Sequence, residues 1–295
     1  MAEIIQRDGA WAFDGGTIRI TPGLHRRVAL FRQAYGEIAV PLEAVRGVVC
    51  EAGRGRGRLG LRLREGADPL LQATGGRLPA AADPYRLEVD ADRGGTAEYV
   101  AEEIRRALLL DRVPREPTTA YLLPGPPVPV SVRSSDGTVS FDGTRVRIDW
   151  ADTSGRAKRA AGPRIIALGD LAGVEWLPNS GHGEGFLRFV TREAVFSGFS
   201  GLPPERDPHA LDLWGSVRRD LLTALVAAAV TARLPHPSTR AGGAPAVPGP
   251  ARDECGDGRH DVLLRRLREL GDLHRDGVLT EEEFARTKAA VLGRF

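Results

Sequence analysis

Cysteine is nearly absent: Cys50 and Cys255 are the only two in 295 residues. Two cysteines cannot staple a fold as a disulfide framework does, so the expected setting is reducing and cytoplasmic. Lysine is as scarce, with Lys158 and Lys288 alone, and the remaining cations are arginines. The opening residues Met1 to Asp8 have no basic stretch followed by an apolar core, so no signal peptide is expected. The most apolar run, Leu221 to Val230, falls short of the ~20 residues that cross a bilayer. Formal net charge is only +2, so no global field draws the chain to nucleic acid, and no nucleic-acid partner is expected. The six histidines are scattered without zinc spacing, and there is no nucleophile elbow or phosphate-binding loop. Catalysis has no candidate residues, and no cofactor or metal is implied.

What is present is a repeat. Residues 8 to 20 read Asp-Gly-Ala-Trp-Ala-Phe-Asp-Gly-Gly-Thr-Ile-Arg-Ile, and residues 136 to 148 read Asp-Gly-Thr-Val-Ser-Phe-Asp-Gly-Thr-Arg-Val-Arg-Ile. Asp8/Asp136, Gly9/Gly137, Phe13/Phe141, Asp14/Asp142, Gly15/Gly143, Arg19/Arg147 and Ile20/Ile148 are identical. Apolar residues alternate around an Asp-Gly pair, which is the signature of a hairpin. Further blocks follow in the same order: Leu42 to Val48 with Leu168 to Val174, Leu61 to Leu63 with Leu187 to Phe189, and Asp83 to Val89 with Asp207 to Leu213. Ordered blocks of this kind mean a duplicated unit.

Each copy predicts an α+β domain. The hairpin leads, and a basic stretch follows. Strands are expected near Ile38 to Val40, Val45 to Glu51 and Leu59 to Arg64, echoed by Ile165 to Leu168, Val174 to Leu177 and Phe186 to Thr191. Each copy ends in a helix, Thr96 to Leu110 and Ser216 to Leu234, with Val100, Ile104 and Leu108 at helical spacing in the first. A bent antiparallel sheet plugged by one C-terminal helix resembles a pleckstrin-homology-like barrel. Two such domains are expected over residues 1–111 and 130–234, joined by a Pro-rich connector, 112–129. A flexible linker, 235–260, leads to a two-helix hairpin at 261–295. Trp11, Trp150, Trp176 and Trp214 are expected to fill the barrels or their rims.

The tail, Leu267 to Phe284, resembles the short C-terminal domain called SHOCT, above all in Gly277-Val278-Leu279-Thr280-Glu281-Glu282-Glu283-Phe284. The repeats before it resemble an actinobacterial domain of unknown function that occurs in pairs upstream of such a tail. The resemblance implies a bacterial, cytoplasmic, non-enzymatic protein whose tail serves interaction or oligomerisation, and it carries no functional residues across. Two short helices bury too little surface to stand alone, so their apolar faces must meet a second copy, a repeat domain or a foreign protein. The residues for this association are Leu263, Leu267, Leu270, Phe284, Val291 and Phe295.

Other constellations are weighed against plainer readings. Asp272, Asp276, Gly277, Thr280 and Glu283 imitate a calcium loop, but His274 stands where an acidic ligand belongs, and a helix cap with a capping box explains the rest. Gly55 to Gly60 formally fits G-x-G-x-x-G, yet a strand follows instead of a helix. Candidate anion-binding residues are Arg26, Arg27, Arg54, Arg56 and Arg58 in the first copy and Arg156, Lys158 and Arg159 in the second. A solvated loop is the plain alternative; the other is a peripheral membrane sensor that uses these basic loops on anionic lipid. The leading expectation is a binding or scaffolding protein, in which duplication offers a bivalent partner two similar surfaces.

Overall fold

The computed structural model describes residues 1–51, 53, 55–181, 185–196 and 202–241, all within the first of the chain's two units, Met1–Ala244. The association residues Leu263, Leu267, Leu270, Phe284, Val291 and Phe295, the calcium-loop imitation, Cys255 and Arg54 lie outside the described residues.

The first copy opens with β1 (Ala2–Gln6), β2 (Gly9–Phe13) and β3 (Thr17–Pro22). A short helix, α1 (Leu30–Tyr35), then leads into β4 (Ile38–Pro41), and these four strands form one antiparallel sheet in chain order. A second antiparallel sheet holds β5 (Val45–Glu51), β6 (Arg56–Leu63) and β7 (Arg86–Asp90), with α2 (Pro69–Thr74) between the last two. Helix α3 (Gly94–Leu110) closes the copy.

The second copy repeats the plan. Strands β8 (Val130–Arg133), β9 (Gly137–Phe141) and β10 (Arg145–Trp150) are followed by α4 (Arg156–Ala161) and β11 (Arg164–Ala167). Strands β12 (Leu171–Leu177) and β13 (Gly185–Thr191), helix α5 (Arg192–Phe196) and strand β14 (Ala210–Leu213) come next. Helices α6 (Val217–Asp220), α7 (Thr223–Thr231) and α8 (Pro237–Ala241) end the described chain. Register repeats as well: Trp11 pairs with Ile20 in the first copy and Val139 with Ile148 in the second. Each copy even shifts register at the same glycine, Gly47 in β5 and Gly173 in β12.

Alternation explains the strands. Trp11, Phe13, Ile18 and Ile20 point inward from the first hairpin, and Val139, Phe141, Val146 and Ile148 from the second. The expected barrels are not closed: among the described residues no ladder joins the four-stranded sheet to the three-stranded one. Side chains make that join instead, as the site below shows.

The terminal helices differ. In α3, Ala97, Val100, Ala101 and Ile104 form one buried stripe against β1 and β5 while charged residues face solvent. In α7 all nine residues are buried. Its second cover comes from the other copy: Leu70 and Ala73 of α2, with Phe31 of α1, join the core of the second copy. The connector passes close by, where a Cβ on Gly125 would lie 2.5 Å from that of Ala232, so only glycine fits there. The continuous helix expected over 216–234 is broken, because Leu222, Ala224 and Leu225 each bond to the carbonyl three residues back.

Two expected linkers are partly built in. Leu122 and Leu123 of the connector donate to the Ala67 carbonyl at 2.8 and 3.1 Å, and Leu123 is buried in the first core. Just past the second copy, His236 Nε2 lies 3.0 Å from the Gly66 oxygen, and its ring meets Tyr121 edge-on at 4.7 Å. Trp11 and Trp176 are core residues, whereas Trp214 is about half exposed at 48%.

Candidate anion site

Asp8 sits in the two-residue turn between β1 and β2, and α1 carries Arg32 back over it. Arg32 Nη1 meets Asp8 Oδ2 at 3.0 Å. The same oxygen accepts from the Glu88 backbone on β7 at 3.2 Å, and Gln6 Oε1 accepts from the Asp90 backbone at 3.3 Å. A turn of the four-stranded sheet is thereby tied to the last strand of the three-stranded sheet. Gly9 is required beside it, since a Cβ there would meet the Thr21 oxygen at 2.7 Å and Arg32 Nη2 at 3.3 Å.

The second copy holds the same device with other atoms. Lys158 is the third residue of α4, as Arg32 is of α1. Its ammonium meets Asp136 Oδ2 at 2.6 Å and the Ala210 carbonyl at 2.8 Å, and lies 4.9 Å from the centre of the Trp150 ring. Asp136 also accepts from the Asp212 backbone at 3.0 Å, and its carbonyl accepts from Ser154 Oγ. Lys158 is therefore no loop cation open to an anion: its side chain is 0% exposed and fully engaged. Arg156 and Arg159 stay on the outside of α4.

The two copies then part. In the first, a cavity of about 420 Å³ opens over the Asp8–Arg32 pair. It brings together Arg27 from the β3–β4 connection with Arg56 and Arg58 from β6, which the sequence separates. Arg7 and Arg86, which belong to no basic run, join them, as do His25 and Arg32. Arg26 is exposed and does not line it. Six arginines against Asp8, Glu88 and Asp90 leave the lining with three positive charges in excess.

Most of these cations have local partners. Arg56 meets Glu88 at 3.1 Å and Asp90 at 3.8 Å, Arg86 meets Asp83 at 4.0 Å, and Arg58 pairs with Glu51. Arg7 and Arg27 make no ion pair among the described residues. Three buried atoms at the floor, Arg32 Nη2, Asp8 Oδ1 and Gln6 Nε2, have no hydrogen-bond partner there, although Arg32 is 5% exposed. Buried polar atoms are nearly always bonded, so a cluster of exceptions calls for an explanation. By repeat alignment, the second copy replaces Arg7 by Ser135, Arg27 by Thr153 and Arg86 by Ala210. The counterparts of Arg56 and Arg58, His182 and Glu184, lie outside the described residues.

The remaining recurrent acids are structural. Asp14 Oδ1 accepts from the backbones of Gly16 and Thr17, and those bonds hold its carboxyl below the usual range. Asp142 is held low by the Thr144 hydroxyl and then by the Thr144 and Arg145 backbones. Asp207 pairs with Arg188 at 2.8 Å, and Asp83 accepts from the Tyr85 backbone at 2.9 Å. The formal G-x-G-x-x-G runs straight into β6, so no helix N-terminus stands behind it. Among the described residues no group of three or more acids, histidines or cysteines is placed to hold a metal. Burial pushes the Cys50 thiol up to about 11, away from thiolate chemistry. No helix of the described residues is long and apolar enough to cross a membrane.

The molecule is thus a tandem α+β protein whose first copy carries an open basic cavity over its Asp8–Arg32 pair. Two segments, residues 11–105 and 139–231, match a domain of unknown function, DUF4429, and the chain belongs to that family. No curated protein matches it.

Proposed function

We propose that the chain is a non-enzymatic binding protein of the bacterial cytoplasm that takes an anionic ligand in the cavity of its first repeat. The observation that carries this is the contrast between the copies. The helix-borne cation of the second copy, Lys158, bonds to Asp136 and to the Ala210 carbonyl, whereas Arg32 leaves its Nη2 donor buried and unpartnered beneath a cationic cavity. The second repeat acts as the structural partner, so the two surfaces are not equivalent. A four-stranded and a three-stranded antiparallel sheet followed by a helix, twice over, support the pleckstrin-homology-like reading of each repeat. The SHOCT-like tail is the association element, for a second copy or another protein.

Calorimetric titration of the full chain with inorganic phosphate at low ionic strength tests this reading. Saturable heat is expected, weakening as salt is added and weakened further in the double variant Arg7→Ala, Arg27→Ala. Absence of saturable heat with phosphate, sulfate and citrate alike would contradict it.

A further inference from the structure

We infer that the anion this cavity takes is a phosphomonoester borne on a small organic body; the inference rests on the anion-binding reading above. Charge is the first argument. Arg58 and Arg86 are offset by Glu51 and Asp83 beside the lining, which leaves Arg7 and Arg27 as the arginines without a carboxylate partner. A phosphomonoester carries about −1.5 to −2 at neutral pH, whereas a phosphodiester or a sulfate ester carries about one charge. The second charge and third terminal oxygen of the monoester let it answer both free guanidinium groups more fully than a diester does. Shape and donors agree. A guanidinium presents a planar fork of N–H groups that matches phosphate oxygens two at a time. The buried Arg32 Nη2 is a desolvated donor whose cost an acceptor oxygen would relieve.

Size supplies the second argument. A volume of about 420 Å³ exceeds what bare phosphate fills and falls in the ~300–1,000 Å³ span of small-molecule sites. Val28, Ala29, Ala80 and Ala81 form an apolar part of the wall, fit for the carbon body of the ester. Such a phosphate can sit on a soluble metabolite or on a lipid headgroup, and the contacts would be the same.

The experiment compares glycerol 3-phosphate, dimethyl phosphate and methyl sulfate by titration of the full chain at one ionic strength. In parallel, flotation compares phosphatidylcholine vesicles doped with phosphatidic acid or with phosphatidylglycerol. Glycerol 3-phosphate is expected to bind at least tenfold tighter than the diester and the sulfate ester. That preference should fall about tenfold in Arg27→Ala and persist in the double variant Arg156→Ala, Arg159→Ala. Co-flotation with phosphatidic acid alone, in the absence of glycerol 3-phosphate binding, also supports the inference and assigns the phosphate to a lipid. Equal binding of monoester, diester and sulfate ester would overturn the inference while leaving an anion site in place. No binding in any arm would remove both.

Discussion

Tyr85 donates its phenolic hydrogen to the fully buried carboxylate of Asp68 at 2.8 Å. The same carboxylate caps α2, accepting from Leu70 at 2.9 Å and Leu71 at 3.1 Å, with Pro69 at the first helical position and left-handed Gly75 at the end. Burial outweighs those bonds and pushes Asp68 up to about 6. A carboxyl raised above its unfolded value binds its proton more tightly in the fold. Its stabilising contribution is therefore complete below about pH 4 and is lost as pH rises through 6. Asp68→Asn keeps a cap oxygen and cannot ionise. Between pH 4 and 7.5 the variant should gain about 2–3 kcal/mol relative to wild type, read by urea unfolding at each pH. Parallel pH profiles for the two proteins would refute the assignment.

Lys158→Met should cost more than Arg32→Met. The lysine variant strands Asp136, whose side chain is 3% exposed, whereas the Asp8 side chain is 20% exposed. Breaking a buried pair by removing one partner costs about 3–5 kcal/mol, and the more exposed Asp8–Arg32 pair should cost less than that. Equal losses in chemical unfolding would show that the two copies share one environment after all.

Leu70→Ala should weaken the whole described unit. Leu70 belongs to the first repeat by sequence but is fully buried in the core of the second. A loss of about 2–5 kcal/mol is expected, as a single calorimetric transition moving to lower temperature. Two separate transitions, with only one displaced, would mean that the repeats fold apart.

Much of this architecture was legible, because hairpin chemistry is local. Asp-Gly turns and inward alternation announce β2–β3 and β9–β10 within a dozen residues. Other features depend on distant partners. Lys158 reads as part of a solvated basic run, and its burial is fixed by Asp136, 22 residues earlier. Helices α1 and α4 have no side-chain cap and so give little local signal. Helix α2 did carry one, in Asp68, Pro69 and Gly75. The helix expected over 216–234 reads as a single stripe of Leu221, Leu222, Leu225 and Ala229, yet α7 within it is buried on every side, and nothing local names α2 as the second cover. The cavity was half visible: Arg27, Arg56 and Arg58 stand in basic runs, while Arg7 and Arg86 are lone arginines that only the fold brings in.

The tail is tested by light scattering of the full chain and of a chain ending at Ala241. The full chain should be the larger assembly and the shorter one a monomer. Identical, monomeric masses for both would remove self-association through the tail.

The most direct test of the central claim is a phosphate titration followed by amide NMR on the full chain. Shifts are expected at Arg7 and Asp8, along Val28 to Arg32, at Arg56 and Arg58, and along Arg86 to Asp90, with none at Ser135 and Asp136 or around Lys158. Equal shifts at Asp8 and Asp136, or no saturable shift at Asp8, would contradict the account.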